Sequence, residues 1–420
     1  MSHPVRTTTL DSGVVVVTER MDDVRSVAAG IFVGVGSRDE VAAQAGCSHF
    51  LEHLLFKGTA SVGAQEISEL IDGVGGEMNA YTTKEYTSYY VRTLDVDAPM
   101  GLGLLCDIVS APALRPDEIE VERQVILEEI AQRADEPGDY VHDLAHEARF
   151  PDHPLGVDTA GSYETVTAIT ADDIRAFMDG TYTGDAIVVA VAGRTDHDAV
   201  VAQVTEQLRR PSTRRALDRF APHSAPGRLR VEELDTEQAH AVLALTGITR
   251  DDDDRFAFAV LDHVVGGGMS SRLFSEIREK RGLAYSVYSY RVPFADAGFW
   301  GVYAGTAPQR LTEVLDVIHA ELLRLGAEGL TDAELIRAKG AIRGGTALGL
   351  EDSGARMSRI GRSKLLTGDV PEIDHLLAKT DAVTLADIRR VCERVLAGQR
   401  TLAIAGPVAE STVKDHPLLG

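Results

Sequence analysis

An internal repeat constrains the fold more than any other feature of this chain. Thr170, Asp173, Ile174 and Arg175 recur, in the same spacing, as Thr384, Asp387, Ile388 and Arg389, a period near 214 in 420 residues. A period of half the chain is domain duplication, since solenoid repeats run at roughly 20 to 50 residues. Each copy reads as the start of a helix whose first turn is capped by the threonine. About a dozen residues later each half has a β-rich run ending in Ala-Gly, Ile187–Gly193 and residues 402–406. Earlier in each half a strand-like stretch, Ser26–Val33 and residues 239–245, leads into a helical one. Between the halves, residues 209–230 carry Pro211, Pro222 and Pro226 among basic and small residues, the composition of a linker. The division expected is therefore residues 1–209, a linker over 210–230, and 231–420. Strands and helices mix without regular βαβ alternation, which predicts two α+β domains, each a mostly antiparallel sheet with helices packed on one face.

Charge then excludes whole classes of partner. With 42 Lys and Arg against 65 Asp and Glu, the net charge is −23. Such a chain repels phosphate backbones, so nucleic-acid binding is not expected, whereas basic ligands are attracted. The hydrophobic share of 44% is that of a globular protein. Cys47, Cys106 and Cys392 are odd in number and far apart, which fits a reducing compartment without a disulfide framework. No window approaches the roughly 18 apolar residues of a membrane helix. The apolar run at 14–17 is bounded by Gly13 and Glu19 and reads as a strand, not a signal peptide. No membrane association is expected, and the cytoplasm is the expected location.

The chemistry sits at His49-Phe50-Leu51-Glu52-His53, in a helix-like segment that stops at Gly58. Residues four apart share a helix face, so both imidazoles can reach one ion. Glu52 is placed to act on a metal-held water. Zn²⁺ suits two neutral imidazoles plus a carboxylate with a fourth position open. Cys47 falls on another face and reads as a small buried residue. The candidate stretch for a third ligand is the helix-like span 116–133, where Glu122, Glu129 and Glu136 lie seven apart along one stripe with Ile126. A carboxylate on a partly apolar face needs a partner, and a metal ion is one. Glu128 points about 100° away, toward water.

His49, Glu52 and His53, with Glu129 seventy-six residues beyond His53, resemble the inverted zincins, and within them the pitrilysin and mitochondrial-processing-peptidase family in its short two-domain bacterial form. The resemblance covers essentially the whole chain. It implies a zinc endopeptidase with one Zn²⁺ per chain, held by His49, His53 and Glu129, and with Glu52 as general base. It implies that the backbone near Asn79 and Ala80, in Gly75–Thr82, pairs with the substrate strand, and that Phe56 touches the residue after the cut. In the second half, Arg278 and Tyr285 match residues that hold the substrate backbone at the scissile bond. Glu136 is expected to orient a ligand histidine. Asp139 and Asp143 match positions that hold an arginine upstream of the cut in the processing peptidases, and spaced four apart they would share a helix face.

Where the first half has Ser48-His49-Phe50-Leu51-Glu52-His53, the second has Ser271-Arg272-Leu273-Phe274-Ser275-Glu276, so both histidines are missing and one active site per chain follows. Gly266-Gly267-Gly268 lacks the Lys-Ser/Thr of a phosphate loop and reads as a tight turn. Trp300 reads as core. The resemblance further implies peptide substrates, a homodimer, and two-domain chains that form the halves of a clamshell. The competing reading is a non-catalytic partner or scaffold subunit of the same fold, which the family also contains.

Overall fold

The computed structural model describes residues 5–212, 217–223 and 227–419. The first half builds a six-stranded sheet from β1 (Val5–Thr9), β2 (Val15–Arg20), β3 (Ser26–Val33), β4 (Glu77–Thr82), β5 (Thr87–Leu94) and β6 (Ile187–Gly193), in the order β1-β2-β6-β3-β5-β4. The second half builds a five-stranded sheet from β7 (Leu229–Glu233), β8 (Ala239–Thr246), β9 (Ala284–Pro293), β10 (Gly298–Thr306) and β11 (Thr401–Gly406), in the order β7-β11-β8-β10-β9. Without β1 the two orders are the same. In each, one parallel pair, β2 with β6 or β7 with β11, sits among antiparallel neighbours. The strands expected at Ile187–Gly193 and Ser26–Val33 form with those bounds.

The repeated threonines account for the repeat in atomic terms. Thr170 Oγ1 accepts the Asp173 N–H at 3.2 Å while the Thr170 N–H donates to Asp173 Oδ2 at 2.9 Å. Thr384 and Asp387 make the same pair of bonds at the same two distances. Both are capping boxes that satisfy helix N–H groups which have no intrahelical acceptor.

Each sheet has one face under a thick helix layer, as expected. On the first sheet, Val27, Ala29, Ile31 and Val33 point into a core with Phe50, Leu51, Leu54, Leu105 and Ile174. The opposite face is also covered, by a single helix, Ser353–Thr367. Its Met357 and Ile360 pack on Val17, Ala28, Phe32 and Ala190. On the second sheet Ala241, Leu243 and Leu245 face the main core, with Trp300 buried there and its indole N–H on Asp262 at 2.8 Å. The helix Pro137–Arg149 covers the other face, Val141, Leu144 and Ala145 meeting Val242, Ala403 and Ala405. Alternating strand residues that are apolar on both sides require this second cover.

The compact units therefore do not follow the sequence halves. One consists of the chain up to Ile130, Asp158–Arg219 and Ala347–Ile373. The other consists of Ala131–Val157, Phe220–Thr346 and the chain from Asp374 onward. The segment read as a linker is pinned where it is described. Arg219 donates to Asp39 at 2.7 Å and to the Glu85 carbonyl at 2.9 Å within the first unit. The carbonyl of Phe220 bonds His153 at 2.9 Å within the second. Pro226 lies outside the described residues. The three cysteines are buried and unpaired. Among the described residues no helix is long and apolar enough to cross a membrane.

Candidate metal centre

The helix Cys47–Leu55 buries Cys47, Phe50, Leu51, Leu54 and Leu55 in the first core. With that face fixed, the 3.6-residue period turns His49, Glu52 and His53 to the other side, where all three are half-buried. The helix Pro116–Ala134 runs alongside, anchored by buried Ile119 and Ile126 and by the Arg123 guanidinium lying 5.3 Å over the Phe50 ring. The stripe read from the sequence is real over part of its length. Glu122 is buried, Glu129 reaches the histidines, and Glu128 faces solvent.

The three expected ligands converge. His49 Nε2 and His53 Nε2 are 3.3 Å apart, and Glu129 Oε2 lies 3.8 Å from the first and 3.7 Å from the second. A triangle with these edges has its centre about 2.1 Å from each corner, which is the bond length of zinc to imidazole nitrogen or carboxylate oxygen, about 2.0–2.2 Å. These residues form the one such group of potential metal ligands among the described residues. Neutral imidazole and carboxylate donors in this number leave a coordination position free, as a hydrolytic zinc site needs.

Glu122 meets one of the three expected ligands from behind. Its Oε2 bonds His53 Nδ1 at 3.0 Å, and its Oε1 pairs with Lys57 Nζ at 2.5 Å. A carboxylate on the far ring nitrogen fixes the tautomer that presents Nε2 to a metal. Glu136, the residue expected to orient a histidine, stands elsewhere. The helix ends at Ala134, so Glu136 leaves the stripe and stands exposed at the start of the next helix. The carboxylate that bonds a histidine is one heptad before Glu129, not one after. A heptad carboxylate flanked by buried positions was the available signal.

Glu52 Oε2 accepts from Thr82 Oγ1 at 2.5 Å. Burial raises its carboxyl above the ordinary carboxylate range, against the Thr82 bond and the nearby His53. Thr82 ends β4, the terminal strand of its sheet, which carries Asn79 and Ala80. Phe56 closes the metal helix, its ring 6.3 Å from Tyr89.

In the other unit Arg278 and Tyr285 come together. The guanidinium lies 4.3 Å over the Tyr285 ring and donates to the Tyr285 carbonyl at 2.8 Å, on an exposed surface. Asp139 and Asp143 share the helix Pro137–Arg149, but they do not stand as a vacant pair, since Asp143 already holds Arg133 at 2.5 and 2.9 Å. Arg272, which stands where the first half has His49, is buried and ion-paired with Glu334 at 2.7 Å. Against its burial, that pair and the bonds from the Thr331 N–H and hydroxyl pull the Glu334 carboxyl down to about 2. Gly266 is required less by a turn than by close approach, because a Cβ there would sit 2.2 Å from the Ser289 nitrogen.

Residues 15–162 match the family described as insulinase (peptidase family M16), and residues 168–342 match the peptidase M16 inactive domain. An uncharacterized zinc protease of Streptomyces coelicolor is 47% identical, over 97% of this chain and 90% of that relative. An uncharacterized zinc protease of Bacillus subtilis is 36% identical over 95% of this chain and 97% of its own length. Among solved structures, a protease from Helicobacter pylori superposes with a TM-score of 0.90 at 24% identity, covering 97% of this chain and 100% of that one. The last likeness bears on the fold alone.

Proposed function

The chain belongs to the pitrilysin-type M16 peptidase family in its short two-domain form, and from that premise we propose that it is an endopeptidase that hydrolyses extended peptides with one zinc ion per chain. The observation that carries this reading is the His49, His53 and Glu129 triangle of zinc dimensions with Glu52 on the same helix face. When bound, zinc draws the pKa of a coordinated water toward about 7 and polarises the scissile carbonyl. Glu52 takes a proton from the attacking water and returns it to the leaving amine nitrogen. Thr82 holds the Glu52 carboxylate in place through its hydroxyl. Glu122 holds the proton on His53 Nδ1, so that Nε2 keeps its lone pair for the metal.

The substrate strand adds to the free edge of β4, as extended peptides add to terminal strands. Arg278 and Tyr285 act on the substrate backbone. The preference for arginine near the cut falls to Asp139 alone, because Asp143 is occupied by Arg133. The active species is a homodimer in the cytoplasm. The match of the second half to an inactive domain agrees with its Arg272–Glu334 pair and leaves the metal set of the first half untouched.

The test is cleavage of a quenched basic peptide before and after chelation. Loss on chelation and recovery with zinc support the reading. A folded, zinc-loaded protein that cuts no member of a peptide library contradicts it and favours a scaffold role. Equal cleavage of arginine peptides and their Arg→Ala forms removes the Asp139 preference alone.

A further inference from the structure

The metal helix begins with an unusual grip. Gly46, immediately before it, has φ of 95°, and it supplies no side chain to cap the first turn. A Cβ there would lie 2.4 Å from the Ala160 carbonyl oxygen, so the turn is held to glycine by backbone conformation and by space. The missing cap comes from Glu40. Its Oε2 accepts the Gly46 N–H at 2.8 Å and its Oε1 accepts the Ser48 N–H at 2.6 Å. One carboxylate thus spans the start of the helix whose third and seventh residues are His49 and His53. Neither the family resemblance nor the mechanism above uses it.

We propose that Glu40 is a positioning residue of the metal centre: its ionised carboxylate, bonded to the Gly46 and Ser48 N–H groups, fixes the helix that carries both histidines, so that zinc affinity follows the charge on Glu40. This rests on the zinc reading given above. A carboxylate at a helix N-terminus accepts two charge-assisted bonds and complements the helix dipole. The protonated acid has one good acceptor left and no charge to offer the dipole.

The surroundings set where the change falls. Burial pushes the Glu40 carboxyl up to about 7, against the Ser48 and Gly46 bonds and the Lys84 charge, which favour ionisation. Cys47, between the two N–H donors, stays a neutral thiol, raised by burial and by the Glu40 and Asp173 charges. Of the chain neighbours, Asp39 is paired with Arg219 and Arg38 with Glu85. As pH falls through about 7, Glu40 takes up a proton and the helix start loosens. Fold stability has the opposite sign. A carboxyl raised from 4.5 to about 7 by folding contributes stability below the unfolded value and loses it as pH rises through the folded one. Zinc affinity and global stability therefore respond to this residue in opposite directions, and general destabilisation cannot imitate the effect.

The experiment compares zinc dissociation constants of the wild type and Glu40→Gln by competition with a fluorescent chelator between about pH 6 and pH 8.5. At the alkaline end the variant binds zinc about tenfold more weakly, the lower range for loss of an outer partner. Toward the acid end the two converge, because wild-type Glu40 is then protonated as well. Histidine protonation weakens both proteins alike and cancels in the ratio. A ratio that stays at one, or stays constant across pH, overturns the inference. A wild type that binds no zinc at any pH overturns it together with the zinc reading, which separates the two failures. If circular dichroism shows Glu40→Gln unfolded, Glu40→Asp takes its place. It keeps the charge but is a methylene too short to span both N–H groups, so it binds zinc more weakly at the alkaline end with a gap that still closes toward acid. Wild-type affinity in that variant overturns the inference.

Discussion

Glu122 and Glu129 stand seven residues apart on one helix and do different work, because Glu122 is buried against His53 and Lys57 while Glu129 is partly exposed at the histidine pair. Glu122→Gln is expected to lower zinc affinity by about 10- to 100-fold with the fold intact, as loss of a histidine-orienting carboxylate does. Competition with a chelator measures it. Glu52→Gln is expected to keep zinc and lose at least roughly a hundredfold in rate, the scale of a general base. At this scale the sequence was legible wherever the chemistry is local. Two histidines and a glutamate within five residues declare themselves by spacing. Glu122, Thr82 and Glu40 reach the same helix from 69, 30 and 8 residues away, and only folding brings them there.

Elements were legible where their ends carry chemistry. Thr170 and Thr384 mark helix starts because each forms a capping box, and Thr170→Ala or Thr384→Ala should cost about 1 kcal/mol, read by chemical denaturation. The covers on the second sheet faces were not legible, since the helices Ser353–Thr367 and Pro137–Arg149 lie in sequence inside the half opposite to the sheet each one covers. Buried Glu19 on β2 is the polar trace of the first cover. It pairs with Arg356 and, at 3.0 Å, with Arg359. Glu19→Ala leaves two arginines without their carboxylate and should cost about 3–5 kcal/mol. Hydrogen exchange in residues 353–367 should quicken first. Unchanged exchange there would show that apolar contacts alone hold the helix.

For the whole molecule, duplication accounts for two sheets of one topology, and among the described residues only the first copy brings together a set of potential metal ligands. In the second copy the place of His49 is taken by Arg272, whose partner Glu334 forms an ion pair. Reading the repeat predicted two similar domains. It did not predict that the compact units exchange segments, because an exchange leaves no mark on the period. Light scattering should return twice the chain mass if the homodimer is the active form. Whether His49, His53 and Glu129 hold one catalytic zinc is decided by titrating zinc into metal-free protein while following both bound metal and peptide cleavage. Activity should rise in proportion to bound zinc and stop rising at one zinc per chain, with Glu129→Gln failing to retain that ion. Cleavage without zinc, or activity that tracks a second equivalent instead of the first, would rule out a single catalytic zinc at this site.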